Sequence, residues 1–183
     1  MDKLSAIKKK FKSVVMIKDS LIQQRVKELS KEIDRDYKGR TPIFLSVLNG
    51  SFMFTADLLR NLTIDCSVEF VKVSSYGNGM KSSGKIKLIT PIPRTIKNRD
   101  VIIIEDIIDT EKTLKFIKNK VIKLNPRSLR IISLLYKNGK TPKDVKIDYI
   151  GFSIPNYFIV GYGLDYMQRM RNLKNIYCLI EYK

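Results

Sequence analysis

A chain of 183 residues has room for one domain with a substantial core. It carries no histidine, which excludes Ser-His-Asp and Cys-His catalysis and histidine-ligated metals, so a general base near neutral pH has to be a carboxylate, a perturbed lysine, a tyrosine or a cysteine. The net charge of +17 invites a nucleic-acid reading, but the lysines are spread along the chain without an aromatic-interleaved basic stripe; no dedicated nucleic-acid partner is expected, and the charge also suits the steering of polyphosphate substrates.

The first residues, Met1 to Val15, carry Lys8, Lys9 and Lys10 but lack the apolar core of a signal peptide. No apolar run anywhere approaches the roughly 20 residues of a membrane span. The expectation is a cytoplasmic protein with no membrane partner. Ile22, Val26, Leu29 and Ile33 share one face of a helix that starts near Asp19 or Ser20 and ends before Gly39. Ile43 to Leu48 reads as a strand, Asn49-Gly50 turns it, and Ser51 is placed to cap a helix running to about Asn61. Cys66 and Cys178 fall in predicted strands without metal-ligand spacing and are expected as reduced core residues. Val68 to Val73 is another strand. The small, polar, glycine-rich stretch from Ser74 to Lys85 reads as a mobile loop, with Ile86 to Ile89 its returning strand and Pro91 and Pro93 breaking the chain after it.

Val101-Ile102-Ile103-Ile104 is a β-branched run that reads as a buried strand, closed by the adjacent carboxylates Glu105 and Asp106. Asp109, Thr110, Glu111, Lys112 and Thr113 follow. A helix face then begins with Leu114, Ile117, Val121 and Leu124 and stops at Asn125-Pro126. Leu129 to Tyr136, Ile147 to Phe152 and Ile176 to Ile180 read as further strands, and Pro155 to Tyr162 mixes aromatics with glycine. Strand–helix alternation over the first two-thirds implies an α/β fold, an open, mostly parallel twisted sheet flanked by helices, in a single domain over 1–183.

In such folds ligands bind at the carboxyl ends of the strands, where N–H groups at a helix start favour phosphate. Carboxylates just behind that point suit sugar hydroxyls or Mg2+. The segment from Val101 to Leu114 therefore looks built for a phosphorylated sugar with Mg2+. Against this, Glu105 and Asp106 also suit a solvated strand end, and Asp109 also suits a helix cap. With histidine absent, Asp109 is the best candidate general acid or base. A Walker-type loop is a poor match, because the required glycines are missing before Lys112-Thr113.

Val101 to Leu114 resembles the phosphoribosyl-pyrophosphate motif of the hypoxanthine-guanine phosphoribosyltransferases. The resemblance continues in Val47 to Leu58, in Ser74-Ser75-Tyr76-Gly77, in Ser133-Leu134-Leu135-Tyr136-Lys137 and in Ile150-Gly151-Phe152-Ser153-Ile154-Pro155. It closes with Phe158-Ile159-Val160-Gly161-Tyr162-Gly163-Leu164-Asp165-Tyr166 and Arg171, in family order over nearly the whole chain. It implies the type I phosphoribosyltransferase fold, with a small hood formed largely from the C-terminal segment. It further implies purine salvage, in which the 5-phosphoribosyl group passes from phosphoribosyl pyrophosphate to N9 of a 6-oxopurine.

The residue roles carried by the resemblance are these. Glu105 and Asp106 hold the ribose hydroxyls, Asp109 manages the proton on purine N7, and Thr110, Glu111, Lys112 and Thr113 form the 5′-phosphate segment. Leu48, Asn49 and Gly50 contact pyrophosphate through an often cis peptide, joined by Arg171. Ser75 and Tyr76 lie on a loop that closes over the reacting centre. Lys137 reaches the 6-oxo group, Phe158 stacks on the base, the Ile159 backbone reads its edge, and Asp165 joins Glu105 and Asp106 as a Mg2+ ligand. Relatives suggest a homodimer or homotetramer.

Two positions depart from the family pattern. Asn49 stands where many relatives carry lysine, which removes a positive charge near pyrophosphate. Glu111 stands where the motif usually has glycine, which puts an acid in the first helical turn beside a phosphate. A catalytically impaired relative, and a phosphoribosyl-pyrophosphate-sensing RNA-binding regulator on the same fold, are the competing readings.

Overall fold

The computed structural model describes residues 11–75, 86–109, 111–138 and 145–182. In chain order the elements are β1 (Phe11–Ile17), α1 (Asp19–Asp36), β2 (Ile43–Leu48), α2 (Phe52–Asn61), β3 (Ser67–Ser75), β4 (Ile86–Leu88) and β5 (Asp100–Ile108). They continue with α3 (Glu111–Ile122), β6 (Ser128–Lys137), β7 (Tyr149–Ile154), β8 (Phe158–Val160) and β9 (Ile176–Glu181).

Six strands form the main sheet in the order β4-β3-β2-β5-β6-β7. All neighbours are parallel except β4, which returns antiparallel along β3. This is the expected mostly parallel sheet. Its centre is β-branched because both faces are covered: Val101, Ile102, Ile103 and Ile104 are all fully buried. Successive residues of a strand point to opposite faces, and β2 follows this rule. Phe44 packs with Val26, Leu29 and Ile33 of α1 and with Phe54 and Leu58 of α2. Ile43 and Leu45 pack on the other face with Leu114, Ile117 and Val121 of α3. The expected helix faces are thus the core faces, although Leu124 lies beyond the end of α3 and only partly buried.

A second, antiparallel sheet has the order β1-β9-β8. This is the hood. Two of its strands come from the C-terminal segment, as expected, but β1 comes from the stretch left unassigned in the sequence. Ile17, Ile159 and Ile176 bury the hood against the α1 and α2 face of the main sheet.

Several local expectations need correction. Glu105 and Asp106 do not close their strand. β5 runs on to Ile108 because Ile107 and Ile108 still pair with Leu135 and Tyr136 of β6. Ser51 makes no side-chain cap for α2; its hydroxyl donates back to the Val47 carbonyl at 2.6 Å and meets the Ser46 hydroxyl at 2.7 Å. The strand expected at Ile147 lies two residues later, and Cys66 is half-buried just ahead of β3 rather than within a strand. Cys178 is buried in β9, and both thiols are free. No helix among the described residues is long and apolar enough to cross a membrane.

Candidate active site

The carboxyl ends of β2, β3 and β5 and the start of α3 enclose a cavity of about 250 Å3. Its lining includes Leu48, Asn49, Gly50, Glu105, Asp106, Asp109 and Thr113. Residues placed together by the sequence reading are therefore brought together in space, and the cavity sits where strand ends and a helix start coincide. The Leu48–Asn49 peptide bond is cis. Gly50 admits no side chain, because a Cβ there would lie 1.6 Å from Asp106 Oδ2. Glycine at this position lets the turn close directly onto the carboxylate floor.

The floor is electrostatically incomplete. Glu105 is buried, and burial followed by the neighbouring Asp106 pushes its carboxyl well above the usual range. Burial raises Asp106 to about 6, against the opposing pull of backbone N–H groups and the Arg171 charge. Glu105 and the partly buried Asp106 both have raised values, so the positive charge near them falls short of what would favour their ionised form. Their needs match a divalent cation or a vicinal diol. The oxygen-only donor set suits Mg2+. Among the described residues no group of three acids, histidines or cysteines forms a cation site on its own, so a Mg2+ held by these acids would need further oxygen donors from outside the protein.

Asp109 stands beyond the floor, just after β5. Lys137, at the end of β6, is 7% exposed and places its Nζ 3.1 Å from Asp109 Oδ1. Burying an ammonium is costly unless it is paired, so Asp109 is the reason Lys137 is tolerated there. Lys112 is exposed, and Thr113 and Leu114 line the inner side of the helix start. Glu111 opens α3.

The hood meets the edge of this cavity at the Gly50 turn. Ile159 is buried, while Phe158 is 52% exposed and meets the Tyr166 ring in a T-shaped contact with centroids 5.7 Å apart. Phe11 of β1 meets the same Tyr166 ring at 5.5 Å. Arg171 is fixed from three sides: Nη2 lies 2.8 Å from Asp165 Oδ1, Nη1 donates to the Gly163 carbonyl at 2.7 Å, and Nη2 donates to Gln168 Oε1 at 3.0 Å. Asp165 and Arg171 both act on the Asp106 charge, so the hood loop lies near the floor. Gly163 itself touches the turn, for a Cβ there would lie 2.1 Å from the Gly50 carbonyl oxygen.

Of the expected site residues, Tyr76 and Thr110 lie outside the described residues, as does segment 76–85 of the expected mobile loop. Ser75 ends β3. Sequence reasoning missed the contributions of Phe11 and of the Tyr166 ring that it shares with Phe158. Only the β-branched run Val14-Val15 and Ile17, beside Met16, signalled that a strand begins the described chain.

The open parallel sheet, its antiparallel hood and the carboxylate-floored cavity define an α/β protein of the type I phosphoribosyltransferase fold. Residues 13–167 match the phosphoribosyl transferase domain. The chain is 40% identical over 162 residues to the hypoxanthine-guanine phosphoribosyltransferase of Bacillus subtilis, covering 88% of this chain and 90% of that one. The same identity relates it to the bifunctional TilS/HprT protein of Listeria monocytogenes, of which it spans only 25% of the length. The crystal structure of a hypoxanthine-guanine phosphoribosyltransferase from Bacillus anthracis superposes with a TM-score of 0.85 at 40% identity, over 91% of this chain and 98% of that one. That of a Staphylococcus aureus hypoxanthine phosphoribosyltransferase gives 0.86 at 37% identity, over 98% and 97%. The chain belongs to the hypoxanthine-guanine phosphoribosyltransferase family of purine-salvage enzymes.

Proposed function

We propose that this chain transfers the 5-phosphoribosyl group of phosphoribosyl pyrophosphate to N9 of a 6-oxopurine, hypoxanthine or guanine, giving IMP or GMP and pyrophosphate. The observation that carries this reading is the ion pair of buried Lys137 with partly exposed Asp109 beside the floor of Glu105 and Asp106. An ammonium discriminates a 6-oxo oxygen from an amino group, and a carboxylate beside it is placed for the neighbouring N7. Keeping that pair favours the enzyme over a regulator on the same fold.

In this mechanism Glu105 and Asp106 accept hydrogen bonds from the ribose hydroxyls. Backbone N–H groups of 110–113, at the start of α3, hold the 5′-phosphate. The turn of Leu48, Asn49 and Gly50, with Arg171 opposite, receives pyrophosphate. Phe158, half exposed, stacks on the base, the Ile159 backbone reads the base edge, and Lys137 donates to its 6-oxo oxygen. As N9 bonds to C1′ and pyrophosphate departs, Asp109 accepts or stabilises the N7 proton. Ser75, which ends β3, and Tyr76 after it take the part of excluding water from the reacting centre. Glu105, Asp106 and Asp165 are the residues that would hold Mg2+, which when bound neutralises charge on the leaving pyrophosphate. We assign the activity to one domain over 1–183, working in the cytoplasm as a homodimer or homotetramer. Val68 and Phe70, both exposed and on one face of β3, support self-association.

The test is a spectrophotometric assay of the purified protein with phosphoribosyl pyrophosphate and Mg2+, offering hypoxanthine, guanine, xanthine and adenine separately. Nucleotide formation from a 6-oxopurine but not from adenine is expected. Turnover of adenine alone, or of no base, would overturn the proposal, and the second outcome would make Asn49 and Glu111 the first positions to revert.

A further inference from the structure

Gly161, Tyr162 and Gly163 all have left-handed backbone, with φ of 97°, 49° and 97°. Glycine enters that region freely, but tyrosine does so rarely and at a cost, so its surroundings have to hold it there. They do so from several directions. The Tyr162 N–H donates to the Leu173 carbonyl at 2.7 Å, and the Gly163 N–H donates to the Arg171 carbonyl at 2.9 Å. The Tyr162 ring is 4% exposed within the α1 and α2 core. Its hydroxyl donates to Asp57 Oδ2 at 2.7 Å, and Gln23 Nε2 donates to the same oxygen at 2.8 Å. Burial, reinforced by the Asp57 carboxylate, raises the phenol well above the ordinary tyrosine value, so it remains a donor at neutral pH.

The two ends of this bond belong to the two walls of the pyrophosphate end. Asp57 lies on α2, whose first turn follows directly from the Asn49–Gly50 turn. Tyr162 directly precedes Gly163, which abuts the Gly50 carbonyl and accepts the Arg171 guanidinium. We infer that Asp57 and Tyr162 are positioning residues whose hydrogen bond sets the gap between the Leu48–Gly50 turn and the hood loop of Asp165 and Arg171, and so tunes affinity for a diphosphate-bearing substrate. The inference rests on the phosphoribosyl-transfer reading above. Both residues act through Gly50, Gly163 and Arg171.

Tyr162→Phe removes the hydroxyl and keeps the ring. The KM for phosphoribosyl pyrophosphate should rise about 3–10-fold, the size of one net hydrogen bond, while the KM for hypoxanthine stays within about twofold. Asp57→Ala should reproduce that split, and the double variant should be no worse than Asp57→Ala alone, because both changes break one bond. Asp57→Asn keeps an acceptor and should remain close to the unchanged protein. Calorimetric titration of phosphoribosyl pyrophosphate with Mg2+ reads the same shift without turnover. An inactive but ligand-binding protein would therefore defeat the phosphoribosyl-transfer reading and still judge the strut. Equal changes in both KM values, or a lowered melting temperature with neither KM moved, would overturn the inference, as would failure of the unchanged protein to bind phosphoribosyl pyrophosphate.

Discussion

Asp109 and Lys137 illustrate how much a single contact decides at the residue scale. Each neutralises the other at 3.1 Å, and under the proposed reaction a 6-oxopurine would share both. Asp109→Asn keeps the shape but removes the proton acceptor. Steady-state kinetics should show kcat reduced about 10²–10⁴-fold, the usual contribution of general acid–base catalysis, and near-normal rates would refute the role. Gly50→Ala tests the floor instead. Its new Cβ would lie 1.6 Å from Asp106 Oδ2, so the turn or the carboxylate has to move. A displacement of that order should lower kcat/KM for phosphoribosyl pyrophosphate about 10²-fold. Glu105, Asp106, Asp109 and Thr113 were legible in the sequence because they are neighbours along one strand–loop–helix unit. Tyr162 and Asp57 were not, since nothing local to either residue announces the other. Ser51 was misread for a related reason: its best partners, Ser46 and Val47, belong to the preceding strand.

Elements announced themselves when their side chains recorded what covers them. β2, β5 and most of β6 are apolar runs buried on both faces, β5 being β-branched as well, and the helix faces of α1 and α3 carry 3.6-residue periodicity. β1 is an edge strand whose residues from Lys12 to Val15 are exposed, so no alternation marks it. β8 is three residues long and exists because β9 pairs with it. The amino ends of β5 and β6 are tied by Asp100, which accepts from Arg127 and, at 2.6 Å, from the Ser128 hydroxyl. Arg127 foremost, against the effect of burial and with help from Ser128, holds the Asp100 carboxyl below its usual value. Folded Asp100 therefore binds its proton more weakly than unfolded Asp100. The stability it adds is present above about pH 4 and lost as pH falls through the lowered value. Thermal melts should find Asp100→Asn less stable than the unchanged protein at pH 6, with the gap closing toward pH 3; a gap independent of pH would show that the charge is irrelevant.

At the scale of the whole molecule, one apolar cluster joins α1 and α2, one face of the main sheet, and the hood through Ile17, Ile159 and Ile176. Phe54 is fully buried in it. Phe54→Ala should cost about 3–5 kcal/mol in urea unfolding, and hood and sheet signals should shift together if the cluster is one cooperative unit. The parallel sheet was legible from strand–helix alternation. The hood's architecture was only partly so, because its centre, β9, draws partners from opposite ends of the described chain. Phe11 pairs with Glu181, so this pairing cannot begin while the chain is still short. A ribosome adds residues in order, at about 5–20 per second, and every strand of the main sheet is complete by Ile154. The carboxylate floor can therefore assemble on a nascent chain while the segment bearing Asp165 and Arg171 still lacks its bracing strand. The wall that carries Asp165 and Arg171 is then braced later than the carboxylate floor, when β9 emerges and β1 is given its neighbour.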